Sequence, residues 1–370
     1  MQQAEKMMNR SYLKTKANKV LLKTTYFSLG DKLYHFFGFA KSDAESYVRS
    51  IKQSLLSEAC IEFEKKTSPG DLDNYKLDLE KHWVSHSEYA YQYKFYNKTE
   101  EEKDGYVSRA KMRYFYKKHS PRVVIPLFAQ KQNFFKVFYH YIHRKWLYAP
   151  VASFDEFVQL LTCYDCIIKP YSGSLGKGIF KIYKDADHKN DRKLYEFCVK
   201  NKMIVEQCIE SCEELKAFHP QSLNTIRVVT VSNRKKAEVF GGVLRTGIGN
   251  SVIDNVHAGG VYAHINITNG LVEGDGMDAN GKKYEYHPDG GIKFNGFQIP
   301  KWNTIIETCC EAAKLTKNMV TGWDVVINSQ GEVEFIEGNC WPDFDIMQSP
   351  KTGAKMRLNA LLKKYYGIEI

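Results

Sequence analysis

Ile167-Ile168-Lys169-Pro170-Tyr171-Ser172-Gly173-Ser174-Leu175-Gly176-Lys177-Gly178-Ile179 is the stretch on which the interpretation of this 370-residue chain turns. It reads as a strand that delivers a lysine, a loop of glycines and serines, and a second strand running on through Phe180-Lys181-Ile182. Glycines let backbone N–H groups turn toward phosphate oxygens with no Cβ in the way. Lys169 and Lys177 add positive charge where those phosphates would lie. Two better-known phosphate loops do not fit. The P-loop needs four residues between its glycine and Gly-Lys, followed by Ser or Thr; here only Ser174-Leu175 separates Gly173 from Gly176-Lys177, and Gly178 follows. The Rossmann fingerprint opens a helix, whereas this loop opens a strand. A glycine loop between two strands fits a β-hairpin lid over a nucleotide. The alternative is a glycine-rich surface turn.

Downstream, Gly322-Trp323-Asp324-Val325-Val326-Ile327 and Glu334-Phe335-Ile336-Glu337-Gly338-Asn339 read as two strands joined through Ser329-Gln330-Gly331. Side chains alternate along a strand, so Glu337 and Asn339 share a face, and antiparallel pairing brings Asp324 beside them. Two carboxylates and an amide oxygen suit a hard cation such as Mg²⁺, which prefers few protein ligands and substrate phosphates. The alternative is a solvated acidic hairpin.

Elsewhere the pattern is α+β. Helical periodicity runs from Ser42 to about Lys66, Ser68-Pro69-Gly70 breaks it, and short helices rich in Tyr and Lys follow to about residue 118. Val123-Val124-Ile125 is expected as a strand and Asn133–Trp146 as an aromatic helix. From Phe154 helix and strand alternate, with strands at Cys166–Lys169, Gly178–Lys184, Met203–Val205, Thr225–Val231, Glu238–Arg245 and Gly260–Ile267 and helices at Trp302–Lys317 and Met356–Tyr366. The net charge of +10 is uneven: residues 1–150 hold 27 Lys+Arg against 16 Asp+Glu, the remainder 26 against 27. Such a step marks a module boundary. The expected division is a basic helical domain over 1–120, a pre-lid and lid segment over 121–205, and a metal-bearing part over 206–370.

No run of eighteen apolar residues exists, and the N-terminus lacks a secretory apolar segment. The nine cysteines, Cys163-Tyr164-Asp165-Cys166 included, are expected as reduced thiols in a cytoplasm rather than disulfides or zinc ligands. Lysines interleave with the aromatics of 89–118, a pattern that could stack on nucleic-acid bases. The preferred interpretation is a helical core with a solvated basic face, so nucleic acid is not expected as a partner. That face could instead meet an acidic acceptor or an anionic membrane surface.

Taken in order, the strand lysine, the glycine lid, the hinge strand Met203-Ile204-Val205-Glu206-Gln207-Cys208-Ile209 and the Asp324…Glu337-Gly338-Asn339 motif resemble the ATP-grasp superfamily over residues 120–370. The runs Leu223–Arg227, Asp254–Gly260 and Glu337–Pro342 look like its bacterial sugar-transfer-associated branch, whose members accompany polysaccharide biosynthesis. The resemblance implies an ATP-grasp fold of two α+β subdomains clasping ATP. It implies phosphate contacts from Lys169, Lys177 and the Ser172–Gly178 lid, with Gly173, Ser174 and Gly176 inside it. The backbone of Glu206, Gln207 and Cys208 would read adenine, and Glu213, or else Glu210, would hold the ribose. Asp324, Glu337 and Asn339 would bind Mg²⁺, and Arg227 and Arg245 would stabilise an acyl phosphate, with Asn255 and His257 facing the acceptor. The implied activity is an ADP-forming carboxylate–amine ligase joining an acidic small-molecule or glycan acceptor to an amine donor, as in capsule tailoring. A sugar or polyol kinase and a basic nucleic-acid-binding protein with a degenerate core are the alternatives. One departure stands out: D-alanine ligases carry an arginine two residues before the metal aspartate, and here that position is Gly322.

Overall fold

The computed structural model describes residues 41–173, 178–249, 251, 254, 256 and 259–370. The N-terminal part is helical: α1 (Lys41–Glu64), α2 (Leu72–His82), α3 (Glu100–Asp104) and α4 (Arg109–His119). Asp71 caps α2, and Thr99 and Glu102 form a reciprocal capping box on α3, where the three glutamates after Thr99 meet the positive end of the helix. Tyr75, Tyr89, Tyr93, Phe95 and Tyr106 are buried together, so the tyrosine-rich stretch builds a core.

Two expected elements change type. Val123–Ile125 is a 3₁₀ turn running into helix α5 (Ile125–Ala129), because Pro126 lacks an N–H and has its φ preset for a first helical turn. The helix expected over 133–146 ends early as α6 (Lys131–Val137), passes through a 3₁₀ turn at Tyr139–Tyr141, and gives way to strand β1 (Trp146–Tyr148). The aromatics that suggested a longer helix are packing residues: Phe128, Phe134, Phe135 and Phe138 form the roof of the main core.

The remaining elements are α7 (Phe154–Cys163), β2 (Cys166–Pro170), β3 (Phe180–Ile182), α8 (Asp191–Lys200), β4 (Met203–Gln207), α9 (Glu213–Lys216), β5 (Thr225–Ser232), β6 (Ala237–Thr246), β7 (Val261–Ile265), β8 (Val272–Met277), β9 (Lys283–Tyr284), α10 (Trp302–Lys314), β10 (Val320–Ile327), β11 (Val333–Asn339) and α11 (Lys355–Tyr366). They make two antiparallel sheets, one of four strands in the order β1-β4-β2-β3 and one of seven in the order β11-β10-β5-β6-β7-β8-β9. Helices α7 and α8 cover the small sheet. The large sheet is covered on both faces. Ile226, Val228, Leu244, Trp323 and Phe335 meet α5, α6 and α10, whereas Val229, Val231 and Val320 meet α4 and α11. Every residue of β5 and β10 is buried in consequence, which is why these strands carry long apolar runs. Strands β8 and β9, with little apolar alternation, were not foreseen.

His86, His264 and His287 are each held below the ordinary imidazole value, first by burial. They are neutral in the fold, while the unfolded chain takes up protons below about pH 6.5. Their stabilising contribution is therefore complete above that value and lost as pH falls through the folded values. The urea midpoint is expected to be lower at pH 5.5 than at pH 7.5, with the drop reduced in His264→Gln and His287→Gln.

Candidate functional site

Asp324 on β10 and Glu337 on β11 are direct cross-strand partners, and Asn339 lies opposite Gly322. Strict alternation would put Glu337 on the face of Phe335, inside the main core. A β-bulge adds Ile336 between Val325↔Phe335 and Asp324↔Glu337 and swings Glu337 to the face of Asp324. The bulge thus assembles the acidic pair.

Asp324 is buried under two arginines from neighbouring strands. Arg227 on β5, its cross-strand partner, grips it with Nε and with Nη2 at 2.9 Å. Arg245 on β6 reaches Oδ2 with Nη2 at 3.1 Å and also donates to Thr225 Oγ1 at 2.7 Å. Asp254 accepts from Thr225 N at 3.1 Å and lies 3.7 Å from Arg245 Nη2. Burial opposes ionisation of Asp324, but Arg227 and then Arg245 overcome it and hold the carboxyl well below the ordinary range. Glu337, whose side chain opens to the cleft, is pushed the other way, first by withdrawal from bulk water and then by Asp324. Asn339 Oδ1 accepts from Trp341 N at 3.0 Å. Two cross-strand carboxylates and an amide oxygen on neighbouring positions are donors of the kind that suit a hard divalent cation. At Gly322 a Cβ would lie 2.9 Å from Pro342 Cβ and 3.5 Å from Arg227 Cδ. The close approach of Pro342 is what excludes a side chain here.

The small sheet supplies the opposite wall. Lys169 on β2 and Glu206 on β4 are buried and ion-paired with each other. Glu206 also accepts from Arg144 Nε at 2.9 Å. The same guanidinium donates through Nη1 to Glu334 Oε1 at 2.8 Å and Phe335 O at 2.9 Å, and through Nη2 to Ile336 O at 3.3 Å. Arg144 therefore ties the lysine-bearing sheet to the bulge that presents Glu337. Burial lowers the Lys169 pKa against the pull of Glu206, with Arg144 lowering it further; Glu206 is lowered by Arg144 and Lys169 against its own burial.

The loop that starts at Ser172 is anchored from α6. Gln130 and Ser172 form a β-bridge, Lys131 N donates to Tyr171 O at 2.8 Å and Lys131 Nζ to Gly173 O at 3.1 Å. Gly173 and Gly178 have positive φ, as a glycine loop requires. Ser174, Gly176, Lys177, Asn255 and His257 lie outside the described residues. At the hinge, Gln207 N donates to Lys145 O at 2.8 Å and Cys208 N to Asp165 O at 2.7 Å, so those two N–H groups are committed to the sheet. A cavity of about 490 Å³ opens there between Asp165, Lys181, Gln207, Cys208, Glu210 and Ser222. Exposed Glu213 opens α9 just beyond it. All nine cysteines are free.

The model of the sugar-transfer associated ATP-grasp family matches residues 110–363. The chain belongs to that family. No curated protein matches the sequence. Among solved structures, this ATP-grasp chain is similar to the ATP-grasp ligase PsnB complexed with minimal precursor, Mg and ADP, at 12% identity over 64% of this chain and 59% of that one, TM-score 0.36. It is similar to the D-alanine-D-alanine ligase from Coxiella burnetii, at 11% identity over 66% and 57%, TM-score 0.38. It is also similar to the N5-carboxyaminoimidazole synthase from Aspergillus clavatus in complex with ADP and 5-aminoimidazole ribonucleotide, at 10% identity over 72% and 59%, TM-score 0.41. The ATP-grasp chain thus spans less than two thirds of the length of each of these proteins.

Sequence reasoning did not single out Arg144, Glu334 or Lys131. Arg144 sits in His143-Arg144-Lys145 with no motif around it, and Glu334 and Lys131 look like ordinary surface charges until the sheets meet. Arg144→Met leaves Glu206 with Lys169 alone and buried Glu334 with no cation, only the amides of His143 and Arg144 and the Asn328 side chain, and is expected to cost about 3–5 kcal/mol of stability by urea unfolding. Arg144→Lys, lacking the planar fork, should restore only part of it. Gly338 lies between Glu337 and Asn339, and a Cβ there would come within 2.6 Å of Phe134 and 2.7 Å of Phe128. Gly338→Ala should therefore cost about 1–3 kcal/mol by the same measurement.

Proposed function

We propose that this ATP-grasp protein is an ADP-forming carboxylate–amine ligase. It would tailor a surface polysaccharide or its sugar precursor with an amino compound in a bacterial cytoplasm. The observation that carries this reading is the facing of two charged walls. Lys169 and Glu206 stand on the small sheet, Asp324, Glu337 and Asn339 with two arginines on the large one, and Arg144 joins them.

A carboxylate is a poor electrophile because its charge is delocalised and its leaving group is oxide. Transfer of the γ-phosphoryl of ATP to a carboxylate oxygen, with ADP departing, supplies a leaving group. An amine then attacks the acyl carbon, loses its proton, and phosphate leaves. The protein's part is positioning and charge neutralisation. Mg²⁺, held by Asp324, Glu337 and Asn339, would offset phosphate charge. Lys169, with Lys177 from the lid, would hold the phosphates. Arg227 is the better placed of the two arginines to stabilise developing charge, because its head grips Asp324 with two nitrogens. Arg245, shared with Thr225 and Asp254, would orient that head. The adenine would use the hinge cavity, reading carbonyls and residues beyond Cys208 because the Gln207 and Cys208 N–H groups are engaged. Glu213 would take the ribose, and Asn255 and His257 the acceptor. Among the described residues no helix is long and apolar enough to cross a membrane.

The test is purified protein with ATP and Mg²⁺, offered uronic acids, nucleotide-sugar acids and amino acids, each with and without an amine pool. Amine-dependent ADP formation with a condensed product by mass spectrometry is expected. Asp324→Asn should reduce turnover at least about 100-fold, within the range for a lost electrostatic stabiliser. Lys169→Ala should weaken ATP binding in calorimetry. A phosphorylated acceptor formed without amine would replace the ligase with a kinase, and absence of ATP binding would sink both.

A further inference from the structure

Outside the family match, α2 and α3 bring together a cluster that the ligase reading does not use. Asp78 and His82 lie one turn apart on α2, and Glu100 opens α3. Each offers one ligand atom, and those atoms all lie within 4.8 Å of one another. We propose that Asp78, His82 and Glu100 bind a divalent transition-metal ion, zinc by its chemistry, which staples α2 to α3.

Three observations carry this beyond an acidic cluster. First, Asp78 and His82 are only 3% and 4% exposed, yet Asp78 Oδ2 and His82 Nε2 have no hydrogen-bond partner among the described residues. Leaving two such atoms unsatisfied is costly, and a ligand would remove that cost. Second, His82 Nε2 lies 3.6 Å from Glu100 Oε2. Two ligands of a tetrahedral zinc, each about 2.0–2.2 Å from the metal, stand roughly 3.4 Å apart. Third, the other ring nitrogen, Nδ1, lies 3.6 Å from Asp104 Oδ1. Such an outer carboxylate fixes the tautomer and orientation of a metal-bound imidazole. The ring is also held edge-on against Phe95, 5.6 Å between centroids. Imidazole with two carboxylates selects zinc-like ions over Mg²⁺.

Two lysines share the cluster. Lys103 Nζ holds the other oxygens, Asp78 Oδ1 at 2.8 Å and Glu100 Oε1 at 3.0 Å, and remains compatible with a metal on Oδ2 and Oε2. Lys81 Nζ lies 2.6 Å from Glu100 Oε2 and must leave; its side chain is 53% exposed and can swing into water. Asp78, Glu100 and Asp104 against Lys103 and the nearby Lys111 still leave the cluster net negative, as a cation site requires.

The experiment titrates chelator-treated full chain with Co²⁺ and then Zn²⁺, in an Asp324→Asn background that disables the proposed Mg²⁺ ligands. One equivalent of Co²⁺ is expected, with visible d–d bands and no near-ultraviolet thiolate band, because the ligands are nitrogen and oxygen. Zinc should displace it and raise the Tm. His82→Gln should abolish binding, and Asp104→Asn should weaken it roughly 10–100-fold. Glu100 is 58% exposed, so Glu100→Gln reads the site without threatening the fold, and it should remove both the bands and the Tm shift. Binding that carries a thiolate band, that survives Glu100→Gln, or that is not stoichiometric would overturn the proposal and leave an ion-pair cluster closed by Lys103.

Discussion

The buried guanidinium of Arg144 is the constraint on which the two halves of the site depend. Four charges, Lys169, Glu206, Arg144 and Glu334, are withdrawn from water in one chain of contacts. Desolvating them is expensive, and mutual pairing offsets the cost only when geometry is good. Arg144 meets that condition with a carboxylate on each sheet and two carbonyls of β11. The ring of Phe135 lies 4.8 Å from the guanidinium. Among the described residues no strand is shared between the sheets. Their placement beside the site rests on this joint together with the α6 contacts to Tyr171 and Gly173, the packing of Ile204 and Trp146 on the main core, and the hinge contacts where Cys212 N and Ser329 N donate across to Ile327 and Glu210.

Charge balance on the large sheet follows a second rule. Asp324 would repel Glu337 if both stood alone. Arg227, directly opposite Asp324, and Arg245, opposite Thr225 one strand further on, hold Asp324 ionised, while Glu337 faces the cleft. Gly322 lies opposite Asn339. A side chain there would collide with Pro342.

The loop after Asn339 is held by the N-terminal helices. Tyr116 OH donates to Pro342 O at 2.9 Å, Arg109 pairs with Asp345, and the Gln348 side chain bonds the backbone of Val107 and Ala354. Trp341 stacks on Tyr116 at 6.2 Å. The helices just before the lid segment thereby fix the chain that leaves Glu337 and Asn339, so the basic N-terminal part is structurally continuous with the site wall.

Features carried by a few adjacent residues were legible in the sequence. The hinge strand, the capped helix after Thr99 and the β10–β11 pair each encode their geometry in local spacing, turn residues and alternation. The expected strand at Val123–Ile125 failed because Pro126 favours a helical start, and the long aromatic helix failed because its phenylalanines serve a roof rather than a helical stripe. The bulge at Ile336 has no local signature, yet it decides which face Glu337 occupies. Arg144 and Glu334 are 190 residues apart and acquire meaning only when two sheets bury them together. The sequence by itself determined the elements and the chemistry their side chains can offer. Only the tertiary structure decided which charges meet, because pairing across sheets depends on register and desolvation, and neither is a property of any short stretch of chain.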